Sequence, residues 1–188
     1  MEQKVQKVLE ELEVTGKQSN FWNVPRTTGL FLNLMVKLLK AKNVLEIGTS
    51  NGYSGIFFAE ALSHTGGRLY TVESHKERFA LASANFEKSG LQNGIEQIFG
   101  HAPEVFRDVE KLQNIEFDLA FVDATKMEYK SYIEAFWPLL KKGGLIIADN
   151  STSHGKEMKP YLDFVSENSE MQSVLLPVDN GLMLTYKV

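Results

Sequence analysis

The sequence predicts an α/β fold, a mostly parallel β-sheet covered by helices on both faces and flanked by an antiparallel pair. Three observations predict it. Short apolar runs of strand length alternate with helical stretches five times between residues 43 and 168. The last two runs, MQSVLLPV and GLMLTYKV, meet across Asp179-Asn180 with no helix between them and read as a hairpin. A chain of 188 residues, 43% hydrophobic and 23% charged, suits one domain (1–188) with a sizeable core.

The elements follow in order. Residues 2–15, rich in Glu, Lys, Gln and Leu, read as a helix, and residues 26–41 carry Leu30, Phe31, Leu34 and Leu38 at helical spacing. NVLEI (43–47) is a buried strand followed by a Gly-bearing turn, and YSGIFFAEAL (53–62) resumes helical spacing. RLYTVE (68–73) is the next strand, with a helix over 75–90 closing on Gly90. IEQIFG (95–100) is a strand, and residues 103–113 form a helix with Pro103 at its start. FDLAFVD (117–123) is a strand, residues 127–142 read as helical despite Pro138, and GGLIIADN (143–150) is a strand again. A helix over 156–168, with Pro160 in its first turns, precedes the hairpin.

The overall balance excludes some functions. No apolar run approaches the roughly 20 residues that span a bilayer. The charged start MEQKVQKVLEELE lacks a signal-peptide core, and cysteine is absent, so the expected home is cytoplasmic. Net charge is −4 and the lysines are scattered, which disfavours broad binding to a phosphate backbone.

In such sheets ligands sit outside the carboxyl ends of the strands, so chemistry is sought there. The first end, EIGTSNGYS, offers Gly48 and Gly52 for close backbone approach ahead of a helix N-terminus. It lacks the second and third glycines of a G-x-G-x-x-G dinucleotide fingerprint, because Ser50 and Tyr53 stand there, and it lacks the Gly-Lys-Ser/Thr of a phosphate loop. A nicotinamide oxidoreductase is therefore disfavoured. Glu73 ends the second strand, where an acid accepts hydrogen bonds from ribose hydroxyls; it would equally suit an exposed helix start. His101 and Ala102 follow the third strand, near a base moiety if a nucleoside spans these ends, and His101 reads as a loop histidine.

Asp123 and Asp149 end the fourth and fifth strands. Side by side on parallel neighbours about 4.8 Å apart, two carboxylates repel unless a cation lies between them. With the Asn150 amide they form a sparse, hard oxygen set suited to Mg²⁺ or Mn²⁺ with positions left open. The same residue types also cap turns. Lys126, three residues past Asp123, is either a solvated lysine or, if buried near a cation that favours its neutral form, a base.

Taken together, VLEIGTSNGYS, YTVES, VDATKMEYKSY and LLKKGGLIIADN resemble the cation-dependent, S-adenosylmethionine-dependent O-methyltransferases of the catechol and caffeoyl-CoA type, over about Val24 to Lys187. The resemblance implies a class I methyltransferase, Rossmann-like sheet of seven strands with a reversed terminal strand. It implies cofactor contacts at Val24, Gly48, Ser50, Tyr53, Ser54, Glu73, Ser74, Ala102 and Asp123, and a metal (Mg²⁺, Mn²⁺ or Ca²⁺) at Asp123, Asp149 and Asn150. It also implies Lys126 as general base with Asp123 beside it, a small aromatic hydroxyl acceptor, and a homodimer. Alternatives on the same scaffold are methylation of a hydroxylated nucleoside in tRNA and a non-catalytic cofactor-binding protein. The chain departs from the family at Thr125, where an acid or aromatic is common, and over Ser151, Thr152, Ser153 and His154, where apolar residues often follow the amide. It also lacks long insertions for large acyl substrates, so an open site is expected. Phe21 and Trp22, ahead of the second helix, are expected to pack in the core, with a dimer contact or a cover over the site as alternatives.

Overall fold

The computed structural model describes residues 1–18, 21 and 23–188; Trp22 lies outside them. Two helices, α1 (Gln3–Gln18) and α2 (Arg26–Leu39), precede the alternating part of the chain. There β1 (Asn43–Ile47), α3 (Tyr53–Thr65), β2 (Arg68–Glu73), α4 (Lys76–Ser89) and β3 (Ile95–Phe99) follow in turn. The short α5 (Ala102–Asp108) and α6 (Glu110–Gln113) lead to β4 (Phe117–Val122), α7 (Tyr129–Phe136), β5 (Leu140–Ala148) and α8 (Lys159–Glu167). The hairpin β6 (Met171–Leu176) and β7 (Leu182–Lys187) ends the chain.

The seven strands form one sheet in the order β3-β2-β1-β4-β5-β7-β6. Pairing is parallel from β3 through β5, and β7 inserts antiparallel between β5 and β6. This is the class I methyltransferase fold expected above. The central strands read as unbroken apolar runs because both faces are covered. Val44, Leu119, Phe121, Leu145 and Ile147 pack on the side of α1 to α4. Their alternate neighbours Leu45, Ile47, Ala120, Val122 and Ile146 pack on the side of α5, α7 and α8.

Three expected helices differ in extent. The one expected over 103–113 breaks at Val109, whose backbone is extended (φ −99, ψ 92). The one expected over 127–142 ends as α-helix at Phe136, because Pro138 has no N–H to continue the ladder, and a 3₁₀ turn over Trp137–Leu139 follows. Strand β5 then starts at Leu140, paired with Phe117 and with a register shift before Leu145. Residues 150–158 form successive turns, and α8 begins only at Lys159, with Pro160 in the first turn where a missing N–H costs nothing. Among the described residues no helix is long and apolar enough to cross a membrane.

On α2 the apolar stripe faces outward: Leu30, Leu34 and Leu38 are 50%, 52% and 66% exposed. The buried face is Thr28, Gly29, Leu32, Asn33 and Val36. Gly29 lies where a side chain would strike the Phe57 ring at 2.5 Å, and Asn33 donates to Phe57 O at 2.8 Å and to Glu60 Oε2 at 2.6 Å.

Candidate active site

The carboxyl ends of β1, β2, β3, β4 and β5 open into one cleft of about 1190 Å³. Val24, Gly48, Ser50, Tyr53, Glu73, Ser74, His101, Ala102, Asp123, Lys126, Asp149 and Asn150 all line it. The structure thus brings together every expected site residue except Ser54.

At one end of the cleft the turn after β1 is drawn tight against β4. A side chain on Gly48 (φ 102) would meet the Asp123 carbonyl oxygen at 2.1 Å, so only glycine fits. Glu73 is buried and held by backbone: Oε2 accepts the Ser50 N–H at 2.8 Å and Oε1 accepts the His75 N–H at 2.8 Å. Its carboxylate is fixed in orientation, with lone pairs left for further donors. Tyr53 Oη donates to Glu13 Oε1 at 2.6 Å, and Arg26 Nη1 donates to the same oxygen at 2.6 Å, so α1 and α2 join the wall.

Ser54 is not among the residues that line the cleft. It turns away from the cleft and donates to Glu46 Oε1 at 2.6 Å, because β1 carries that acid into the interior. Thr71 donates to Glu46 Oε2 at 2.6 Å, and Thr49 and Thr71 share a hydrogen bond at 2.5 Å. Burial lifts the Glu46 carboxyl to about 7 against the opposing pull of these hydrogen bonds.

At the other end, β4 and β5 finish in step. Val122 pairs with Ala148, and the next residues are Asp123 and Asp149. Asp149 N–H donates to Val122 O at 3.0 Å. Asp149 is 1% exposed, and its Oδ1 has no hydrogen-bond partner among the described residues. Burial, reinforced by the charge of Asp123, raises the Asp149 carboxyl to about 7. Asn150 takes the left-handed conformation (φ 64) that asparagine tolerates, which turns the chain sharply at the end of β5. Lys126 Nζ donates to Asp123 Oδ1 at 2.7 Å and to Tyr129 Oη at 3.2 Å. Tyr129 is fully buried, so the lysine is steered by a fixed partner.

Among the described residues no three His, Cys, Asp or Glu side chains cluster as a metal site. The candidate donors are two carboxylates and one amide oxygen. That set fits an octahedral hard cation that keeps several ligands from solvent or substrate, and the orphaned Asp149 Oδ1 is the atom such an ion would satisfy. Ser153, His154, Glu157 and Asn180 continue the wall beyond Asn150, so it is polar. Phe21 lines the cleft and is part-buried.

Sequence reading missed Glu13, Arg26, Tyr132 and Glu46. Glu13 and Arg26 lie outside any strand-end motif, whereas Tyr132 closes VDATKMEYKSY without an assigned role. Glu46 did carry a signal, since a lone acid inside an apolar strand is rarely buried without partners.

The family model described as O-methyltransferase matches residues 2–188. Caffeoyl-CoA O-methyltransferase 1 of Eucalyptus globulus is 32% identical over 94% of this chain and 79% of its own length. Catechol O-methyltransferase of Niastella koreensis is 37% identical over 71% of this chain and 60% of its own length. The crystal structure of an O-methyltransferase from Bacillus cereus in complex with SAH superposes with a TM-score of 0.88 at 28% identity, covering 97% of this chain and 91% of that one. A matching family model over nearly every residue, a shared strand order and a nucleoside-sized cleft at the strand ends lead to one conclusion: the chain belongs to the S-adenosylmethionine-dependent O-methyltransferase family of the caffeoyl-CoA and catechol type.

Proposed function

We propose that this chain is a divalent-metal-dependent O-methyltransferase that moves the methyl group of S-adenosylmethionine to a hydroxyl of a small catechol-like aromatic. The observation that carries the reading is the pairing of Asp123 and Asp149 with an orphaned oxygen, beside Lys126 and in the same cleft as Gly48 and Glu73. The relatives' names specify caffeoyl-CoA and catechol, which favours a small acceptor over a tRNA nucleoside.

Glu73 would accept the ribose hydroxyls, its carboxylate already aimed by the Ser50 and His75 N–H groups. The Gly48–Ser50 backbone, Tyr53 and Val24 would border the methionine portion, and Ser74 and Ala102 would flank the adenine. Asp123, Asp149 and Asn150 would hold the cation. When bound, that ion supplies positive charge that makes an adjacent hydroxyl more acidic and fixes its oxygen. The cofactor supplies a sulfonium-activated methyl group. That methyl carbon would be the electrophile for the acceptor oxygen, with the thioether as leaving group. As its neutral amine, the form a neighbouring cation favours, Lys126 would take the hydroxyl proton on Nζ, with Tyr129 Oη steering it. The buried Tyr53, Glu73, Tyr129 and Asp149 around these groups would help to align the reacting atoms.

The test is methyl transfer from labelled S-adenosylmethionine to catechols, flavonoids and hydroxycinnamates, with Mg²⁺ and with excess chelator. Divalent-dependent labelling of one class is expected. Full labelling in chelator would sink the metal role. We further propose that the 188 residues act as one domain, in the cytoplasm, as a homodimer; sedimentation velocity reads the last directly.

A further inference from the structure

We propose that His101 is a positioning residue that, as its imidazolium, clasps the segment after β3 to the Lys126–Glu128 turn and so closes the adenine end of the cleft. The inference rests on the cofactor reading above.

His101 Nδ1 lies 2.6 Å from Glu104 Oε2, and Nε2 lies 2.9 Å from Glu128 Oε2. A neutral imidazole carries one N–H, so its other nitrogen would set a lone pair against a carboxylate. Only the doubly protonated ring donates at both positions. The groups facing it come from three elements. Glu104 comes from α5, with Arg107 near that carboxylate. Glu128 comes from the turn after β4. Tyr132 comes from α7, its ring edge-to-face with the imidazole at 6.1 Å and its hydroxyl donating to Glu128. The hydrogen bond to Glu104, with that to Glu128, holds the imidazole's proton affinity above the ordinary histidine value despite partial desolvation.

The clasp joins strand ends that are not neighbours, since β2 and β1 lie between β3 and β4. Gly100, His101, Ala102, Thr125 and Tyr132 together form that end of the cleft wall. Glu128 also closes the turn that Lys126 opens, so one ion pair holds both the adenine wall and the segment bearing the base. Because protonation makes the clasp, it is present at low pH and is lost as pH rises through the raised pKa of His101.

The test is calorimetric binding of SAH, the demethylated cofactor, to the full chain at about pH 6, at about pH 9 and at a series of values between them, spanning the histidine range. His101→Gln is expected to bind about 3- to 5-fold more weakly than wild type at the lower pH and equally at the higher. Glu128→Gln should behave likewise. Glu104→Gln, which touches the ring but not the turn, should keep the low-pH affinity and move the midpoint of the fall to lower pH. Titrations of SAH and of other cleft groups are common to all four proteins, so the differences isolate the clasp. A purely structural role for His101 would weaken binding equally at both pH values. That result, wild-type affinity in His101→Gln at low pH, or an unmoved midpoint in Glu104→Gln overturns the proposal. Absence of SAH binding by wild type at both pH values overturns the cofactor reading and the clasp with it.

Discussion

At the Gly48 end of the cleft both oxygens of Glu73 are bonded to backbone N–H groups, whereas at the Asn150 end Asp149 keeps one buried oxygen with no partner among the described residues. The first end is organised before any ligand arrives, so binding there orders little else. The second end holds two carboxylates on adjacent strand tips, balanced in this structure by the Lys126 ammonium at Asp123. Under the proposed function the contrast makes donor binding and acceptor activation separable: one face would bind by prearranged hydrogen bonds, and the other would work when a cation completes it.

The largest expected effect tests that separation. Asp149→Ala should lower divalent-dependent turnover by about 10³-fold or more, while SAH affinity measured by calorimetry stays within about 3-fold. Loss of both together would show that the two ends are one unit. Next, Lys126→Met should lower kcat by about 10²- to 10³-fold with little change in KM for the methyl donor, in steady-state kinetics at saturating metal. A large rise in that KM would instead place Lys126 in donor binding.

The third prediction concerns the support under the first end. The Glu46 carboxyl is raised to about 7, so the folded chain holds a proton that the unfolded chain releases near 4.5. Stability should therefore fall as pH rises from about 4.5 to about 7 and level off above, by about 3 kcal/mol at most. Glu46→Gln should flatten that slope in urea melts across this range; an unchanged slope would clear Glu46. The smallest effect is at Glu73. Glu73→Gln, which sets an amide N–H₂ against a backbone donor, should weaken SAH binding about 10-fold and leave the metal dependence of turnover unchanged.

How much of this was legible in the sequence depended on which physical signal each residue leaves. The sheet was legible because strands covered on both faces leave apolar runs, and the topology then put Asp123, Asp149 and Glu73 at strand ends. The boundaries near Pro138 were not, because Leu140 is drawn into β5 by Phe117, a partner distant in sequence. Leu30, Leu34 and Leu38 announced a helix but not its buried face, which is set by Gly29 against Phe57 and by Asn33 finding Glu60. Ser54 misled because motif position says nothing of rotamer, and its hydroxyl goes to the acid inside β1. Glu13 and Arg26 reach the cleft from helices that carry no motif, so only three-dimensional proximity reveals them.

The reversed direction of β7 has a consequence for redesign. Running opposite to β5, it begins where its neighbour finishes, and the hairpin bend before it returns to the reactive rim. There Asn180 O accepts the N–H groups of Thr152 and Ser153, Gly181 O accepts that of Ser151, and Asn180 itself borders the cleft. Lengthening or recoding that bend, with the Asp179 that accepts from Thr28 of α2 retained, would reshape the surface met by an incoming acceptor, while the donor's seat at Gly48 lies three strands away. New substrate preferences should be reachable by loop exchange at residues 177–181 alone.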